Sequence, residues 1–274
     1  MEWISPDDKI YKKVLQPSPF GIKPFENSEV KLKFTDCPPD LELFNDTPLI
    51  IGENDGDVGR LLDICICTMR LNERATFTLN LGLEQICAVI ELIDLKFDGY
   101  IYEWDARKRY DLAQKHNNRG SKYFSEKNHY EAAHKFTKAL KLINSIPIAV
   151  EPIPKTIDGV KVADINGFKE RLYNNLASCY FRAKLYDLVI PLCQKALTFN
   201  SNNVKALYKI GVAYAGEKDF EKAQGALKKA IELEPLNKAC AEYLGTVEEK
   251  LKEANARSDN LMKKMMQMSL SKQN

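Results

Sequence analysis

The stretch that decides the fold is LASCYFRAKLYDLVIPLCQKAL, residues 176–197, followed by IGVAYAGEKDFEKAQGALKKAI, residues 210–231. Similar residues recur in it 34 positions apart, as Ala177, Gly211 and Gly245 show. Small residues stand where two antiparallel helices would cross closely, and large apolar residues follow three or four positions away. The repeat therefore predicts stacked helical hairpins, which bury their apolar faces only against neighbouring copies.

A period of this length is typical of tetratricopeptide (TPR) repeats. The segment GSKYFSEKNHYEAAHKFTKAL, which begins at Gly120, carries the same pattern, so we expect three repeats and a seventh helix. The predicted repeats are residues 113–144, 170–203 and 204–237, and a capping helix follows at 238–268.

The first two repeats are out of step. Gly120 and Ala177 are 57 residues apart, which is one period of 34 residues plus 23 more. The inserted IPIAVEPIPKTIDGVKVADING holds three of the twelve prolines and two glycines. Because proline and glycine interrupt helices, residues 145–169 are predicted to form a long loop.

The first hundred residues alternate between apolar and polar positions instead. EVKLKFT places Val30, Leu32 and Phe34 on one side, and RATFTLNL does so with Phe77 and Leu79, which predicts half-buried strands. ICAVIELIDLKF is longer and more uniformly apolar, which favours a central strand, and VGRLLDICICTM is a short helix candidate. These elements predict a twisted antiparallel sheet with one short helix packed on it.

The chain as a whole is thus predicted to be α+β, with a sheet domain at residues 1–99, a linker at 100–112 and the all-α repeats after it. Residues 1–99 carry 10 Lys and Arg against 18 Asp and Glu, a net charge of −8, and the rest carries 30 against 20, a net of +10. Two parts of opposite net charge suggest that they bind different partners or attract each other. Net charges of this kind are also found on ordinary solvated surfaces.

Composition excludes several classes of function. Seven cysteines, an odd number, lie mostly among apolar residues, which indicates reduced core residues rather than disulfides, and Cys65 and Cys67 lack partners at metal-site spacing. We expect no metal, cofactor or catalytic histidine set, and no nucleic-acid partner, because the basic residues form no binding motif. No apolar run approaches the ~20 residues of a membrane span, so a soluble protein of the cytoplasm, and also of the nucleus, is expected.

The order of the pieces VKLKFTD, LFND, PLIIG, the helix ending in TM, NERATFTLN and AVIELIDLKF resembles the FKBP-type immunophilins, the FK506-binding family of peptidyl-prolyl isomerases. The resemblance covers most of residues 10–97. TPR repeats after such a domain are the architecture of the large immunophilin co-chaperones. The family resemblance implies an FKBP-like fold and, where the pocket is intact, prolyl isomerase activity.

The remnant of that pocket is altered at each place that the resemblance identifies. Leu62 replaces the family's tryptophan on the short helix, Phe34 replaces a tyrosine, and Asn45 after Phe44 replaces an aspartate. Only LGLEQ stands where the family has an aromatic-rich loop that walls the pocket. Isomerisation needs a preorganised apolar pocket with fixed donors, so we predict that the isomerase activity is lost.

The resemblance also implies a peptide site in the TPR groove. In the co-chaperones, a carboxylate clamp of Lys-x-x-x-Asn, Asn and Lys-x-x-x-Arg binds the acidic EEVD tail of heat-shock protein 90 or 70. Here the first pair becomes Asn117 and Ser121, the single asparagine is Asn175, and the last pair becomes Lys205 and Lys209. Two further cations are predicted on the same concave side, Arg171 and Arg182.

The function expected from the sequence is that of a non-catalytic scaffold or co-chaperone-like protein that binds and regulates a partner. A resemblance to an insect immunophilin-like protein with both sites altered implies a casein kinase I type clock kinase as that partner, and an unrelated client fits equally well. The alternatives are a heat-shock protein 90 or 70 co-chaperone with a degenerate clamp, and a divergent prolyl isomerase.

The last helix adds one more candidate surface. It carries four methionines, which offer an adaptable face to calmodulin or a partner helix, or else cap the last repeat: Met262, Met265, Met266 and Met268.

Overall fold

The computed structural model describes residues 2–45, 47–148 and 153–271. The chain divides after Trp104 into two compact units, the sheet unit (residues 1–104) and the helical unit (residues 105–274). Within the described residues, no helix is both long enough and apolar enough to span a bilayer. Asp46 of the LFND motif and residues 149–152 of the predicted loop lie outside the described ranges.

Within the described residues, the sheet unit is a six-stranded antiparallel sheet with two helices. Its strand order is β1-β2-β5-β6-β3-β4, so β6 is central, as predicted. The elements are β1 (Glu2–Ile4), β2 (Ile10–Gln16), β3 (Glu29–Thr35), α1 (Pro39–Glu42), β4 (Leu49–Ile50), α2 (Gly56–Cys67), β5 (Arg74–Asn80) and β6 (Gln85–Lys96).

The predicted inward positions of the strands do form the core. Val30, Leu32 and Phe34 on β3 are at most 2% exposed, and Phe77 on β5 is 1% exposed. Helix α2 covers this face of the sheet with one apolar side, and its Cys65 is fully buried in the same cluster. The alternation of apolar residues therefore predicted β3 and β5 and the face that each one buries, whereas β1, β2 and β4 were not predicted.

The helical unit consists of seven helices and one small ribbon within the described residues. Its elements are α3 (Ala106–Ser125), α4 (His129–Asn144), β7 (Thr156–Ile157), β8 (Val160–Lys161), α5 (Val162–Arg182), α6 (Tyr186–Phe199), α7 (Val204–Gly216), α8 (Phe220–Leu233) and α9 (Lys238–Ser271). Helix α3 packs against α4, α5 against α6, and α7 against α8, and each hairpin also packs against the next one.

Two glycines explain why the hairpins pack so closely. A Cβ atom added at Gly120 would lie 2.8 Å from the ring of Phe136, and one at Gly211 would lie 2.6 Å from Cγ of Leu227. Both neighbouring side chains are buried. The small residues at the 34-residue period are therefore the points where the two helices of a hairpin cross.

The predicted linker and loop are both shorter in the structure. Helix α3 begins at Ala106, inside the predicted linker at 100–112, because the Asp105 side chain caps it by accepting a hydrogen bond from the Lys108 amide at 2.7 Å. Helix α5 begins at Val162, inside the predicted loop at 145–169, since its first turns bury Ile165 and neighbouring apolar residues.

The ribbon before α5 has a structural role of its own. Its turn at Asp158 and Gly159 has positive φ at both residues, and the Asp158 carboxylate accepts a hydrogen bond from the Ala106 amide at 2.7 Å. That amide belongs to the first turn of α3, whose N–H groups have no partner within the helix. The inserted segment thus joins the second repeat to the start of the first.

Helix α9 continues three residues beyond the predicted 238–268. Its first half closes the last repeat, with Cys240 and Val247 each 1% exposed. Four methionines near the end of α9 are more than 60% exposed and so do not cap the last repeat: Met262, Met265, Met266 and Met268. The cap is therefore formed by the earlier apolar residues of α9, which face α7 and α8.

Candidate functional site

The candidate site is a groove in the helical unit, lined by α3, α5 and α7. It contains two neighbouring cavities, which share Phe124 and Ser178 in their linings. The larger cavity has a volume of about 570 Å³ and the smaller one about 120 Å³. We call them the basic cavity and the neutral cavity, because their linings differ in charge.

The basic cavity brings together three of the predicted cations. Arg182 comes from α5, and Lys205 and Lys209 come from successive turns of α7. Glu234 is the one acidic residue of this lining, and it accepts a hydrogen bond from Asn237 at 2.9 Å. The lining has a net charge of +2 when all four groups are ionised, which suits a doubly charged anion.

Lys209 is held in place before any ligand arrives. Its Nζ donates to the backbone carbonyl of Asn174 at 3.2 Å, and it lies 3.5 Å from the Oδ1 of the same residue. Partial burial lowers the pKa of Lys209 below the usual lysine value, and the nearby charge of Lys205 lowers it further. A bound anion would stabilise the charged form of Lys209, because it compensates for both effects.

A side-chain network fixes the distance between α5 and α7. Glu170 on α5 accepts hydrogen bonds from Asn174 at 3.1 Å and from Asn203. Asn203 also caps α7, since its Oδ1 accepts from the Ala206 amide at 2.9 Å. The network therefore positions the helix that carries Lys205 and Lys209.

The neutral cavity contains two of the three other clamp positions, Ser121 and Asn175, and among the described residues no charged one lines it. It is lined by Ser121, Phe124, Phe136, Asn175 and Ser178. Asn175 Nδ2 donates a hydrogen bond of 3.2 Å to Oδ1 of Asn117, the residue at the place of the first clamp lysine. The retained asparagine is therefore already paired with the residue that replaces the lysine.

Arg171 is the predicted cation that lies apart from the others. It lines neither cavity, and its guanidinium lies 5.3 Å from the centre of the Phe168 ring, in a cation–π contact. The structure thus brings five of the six predicted groove residues to the two cavities: Ser121, Asn175, Arg182, Lys205 and Lys209. Their role in binding is part of the proposal below.

Sequence reasoning missed the residues that complete the basic cavity. Phe181 and Tyr208 supply aromatic walls, Asn237 lines the cavity from just before α9, and Ala239 lines it from the first turn of α9. Phe181 precedes Arg182 and Tyr208 precedes Lys209 in the chain, so a search of the positions beside the clamp residues could have found them.

The three predicted residues of the FKBP-like pocket do not form an open bowl. Phe34 and Leu62 belong to the packed core, at 2% and 5% exposure, whereas Phe44 is 40% exposed. The Asn45 side chain accepts from the Phe34 amide and donates to the Phe34 carbonyl at 3.3 Å, so it is bound to the backbone of β3. The sheet unit therefore uses these residues for packing and strand attachment.

The wall of the family's pocket is replaced by a tight turn. Strands β5 and β6 pair up to Asn80 and Gln85, and only residues 81–84 connect them. Gly82 has a φ of +82°, and the Leu81 amide donates to the Glu84 carbonyl at 2.8 Å, which closes the hairpin. No aromatic-rich excursion is present in this connection.

Comparisons with known proteins match both halves of the chain. The tetratricopeptide repeat family model matches residues 204–237. The mouse protein called FK506-binding protein-like is 28% identical over 251 residues, which are 89% of this chain and 67% of that protein. Its rat counterpart is 30% identical over 189 residues, or 69% of this chain and 50% of that protein. The chain thus spans only half to two thirds of these relatives.

A solved structure supports the assignment of the helical part. The C-terminal TPR-containing domain of a Plasmodium falciparum FK506-binding protein is 30% identical, with a TM-score of 0.51, and the match covers 99% of that domain and 57% of this chain. Together with the antiparallel sheet and the three helical hairpins, these matches show an FKBP-like domain followed by TPR repeats.

Proposed function

We propose that the chain is a non-catalytic, co-chaperone-like scaffold whose helical unit binds an acidic segment of a partner protein. The observation that carries the proposal is the convergence of Arg182, Lys205 and Lys209 on one cavity of the groove. Hydrogen bonds from lysine and arginine to carboxylate or phosphate oxygens are stronger than those between neutral groups. Aromatic residues beside the cations, such as Tyr208, add apolar contact for the backbone of a peptide.

Calorimetric titration of the full chain with anionic peptides tests this function. Lys205→Ala should weaken binding about tenfold or more, because a charged hydrogen bond contributes roughly 1.5–3 kcal/mol. Lys195→Ala is the matched control, since Lys195 is an exposed lysine on α6 that lines neither cavity. Equal affinities for the two variants, or no binding of any anionic peptide, would contradict the proposal.

The sheet unit is proposed to have lost the isomerase activity of the family. The buried Leu62, the backbone-bound Asn45 and the four-residue turn at 81–84 support this view, because Leu62 and Asn45 serve packing and strand attachment and the turn is too short to wall a pocket. A proline-peptide isomerisation assay should give the uncatalysed rate. Turnover well above that rate would favour the alternative of a divergent isomerase.

The identity of the partner is a finer proposal. The tail of heat-shock protein 90 or 70 is one candidate, since Asn175 and Lys205 keep two clamp positions. The chain also resembles the insect protein Bride of Doubletime in having both sites altered, and that resemblance implies a casein kinase I type clock kinase. Co-purification from a cytoplasmic and a nuclear extract distinguishes these candidates. The partner is the protein that co-purifies with the wild-type chain but not with Lys205→Ala.

A further inference from the structure

Among the described residues, the charged residues that line the two cavities all belong to the basic cavity. The basic cavity carries Arg182, Lys205 and Lys209, whereas the five residues that line the neutral cavity are uncharged. The two cavities adjoin, since both are lined by Phe124 and Ser178. A peptide that lies along the groove therefore meets a cationic site and then an uncharged, partly aromatic one.

This difference in charge between the two cavities disfavours a ligand that would place a negative charge in each of them. A carboxylate in the neutral cavity would lose water and find no cation in its lining, a costly arrangement for a charged group. The hydrogen bond between Asn117 and Asn175 also occupies the amide that would donate to such a carboxylate. A free terminal carboxylate in that cavity is thus poorly stabilised.

The basic cavity instead suits one concentrated anion. Adjacent acidic residues of an extended peptide point to opposite sides, so only one of two neighbouring carboxylates reaches the cation cluster. A phosphoserine carries up to two negative charges and three acceptor oxygens on one side chain. Its charge matches the net +2 of the lining, which comes from Arg182, Lys205 and Lys209 against Glu234.

We infer that the groove binds an internal segment of its partner in which a phosphorylated serine or threonine enters the basic cavity and an uncharged apolar side chain enters the neutral cavity. The inference rests on the proposed function and specifies its ligand. A free chain terminus is not required, because no cation lines the neutral cavity to hold its carboxylate. Phe124 and Phe136 supply the apolar surface for the second side chain.

Four peptide probes test the inference by fluorescence anisotropy with the full chain. Three are nine-residue pools, acetylated and amidated, with phosphoserine, serine or glutamate fixed at the centre. The fourth ends in Glu-Glu-Val-Asp with a free carboxylate. We expect the phosphoserine pool to bind at least tenfold more tightly than the serine and glutamate pools and more tightly than the free-acid tail. Lys205→Ala should abolish the phosphoserine preference, and Lys195→Ala should keep it.

A gain-of-charge variant tests the neutral cavity separately. Asn117→Lys restores a cation at the α3 end and should raise the affinity for the free-acid tail about tenfold. Asn117 contacts the neutral cavity through its hydrogen bond with Asn175, which lines that cavity. Asn118→Lys is the control, because it adds the same charge one position along α3 at an exposed residue. An equal gain for the two variants would show that general attraction, and not the neutral cavity, limits binding of the tail.

The outcomes separate this inference from the proposed function. If the free-acid tail binds wild type tenfold more tightly than the phosphoserine pool, the inference is wrong and the scaffold function stands. If the glutamate pool equals the phosphoserine pool, the requirement for a concentrated dianion is wrong. If none of the four probes binds, both the inference and the proposed function are contradicted.

Discussion

Replacing Gly211 by alanine should destabilise the helical unit, although alanine is the better helix former. A Cβ atom at this position would lie 2.6 Å from Cγ, 2.9 Å from Cδ2 and 3.3 Å from Cδ1 of Leu227. Carbon atoms prefer about 3.5–4.0 Å, so Leu227 would have to move by roughly 1 Å. It is 0% exposed, and because protein interiors are closely packed, the displacement is costly.

The expected magnitude is the difference between two opposing effects. Overpacking of a buried site costs about 1–3 kcal/mol, whereas alanine is favoured over glycine by about 1 kcal/mol in a helix interior. The net change should be a loss of about 0–2 kcal/mol for Gly211→Ala. Gly245, one period later in α9, has no atom within 4 Å of its added Cβ. Gly245→Ala should therefore stabilise the chain by about 1 kcal/mol.

Thermal unfolding of the full chain, followed by circular dichroism at the helical band, measures this contrast. For a domain of this size each kcal/mol shifts Tm by about 2–4 °C, so the two variants should differ by about 2–12 °C, with Gly211→Ala lower. The reasoning would be refuted if both alanine variants raised Tm equally. That result would mean that α7 and α8 can separate without cost at their crossing.

The other predictions concern the sheet unit and the basic cavity. Asn45→Ala removes two hydrogen bonds to the β3 backbone and should cost about 1–3 kcal/mol in urea unfolding; a change within about 0.5 kcal/mol contradicts this. Glu73→Gln removes the ion-pair partner of the buried Lys12, 2.5 Å away, and should lower the free energy of unfolding by roughly 3–5 kcal/mol. Lys96→Ala removes an exposed ion pair with Glu29 and should lower it by less than about 1 kcal/mol. The pKa of Lys209 is lowered, so Lys209 should lose its positive charge at a lower pH than an ordinary lysine does. As the pH is raised, the affinity for anionic peptides should therefore fall early. Binding titrations at increasing pH should show no such early fall for Lys209→Arg.

Local periodicity was sufficient for the architecture. The 34-residue period predicted the hairpins of α3 to α8, and the alternation in EVKLKFT predicted β3 and its buried face. Both signals are strong because a helix or strand that buries one face must repeat its apolar residues at the period of its backbone. The altered positions of the FKBP-like pocket could also be identified from the sequence, since each of them is a change of residue type.

The starts of helices α3 and α5 required the structure. Their signals were a cap at Asp105 and a buried turn around Ile165, and proline and glycine nearby obscured the second one. Each of these signals involves only a few residues at the start of a helix, whereas a period is repeated over many residues. The start of a helix is therefore harder to predict from the sequence than the helix itself.

The sequence by itself determined helix α2, the helices of the repeats, strands β3, β5 and β6, and the types of residue in the groove. Only the tertiary structure decided that Gly211 touches a neighbouring helix while Gly245 does not, and that Asn175 pairs with Asn117. It also placed three of the four predicted cations in one cavity, and among the described residues it placed no charged one in the lining of the other. The physical reason is that side chains far apart in the chain meet only through the stacking of the hairpins, and a period along the chain does not specify which side chains then come within hydrogen-bond distance.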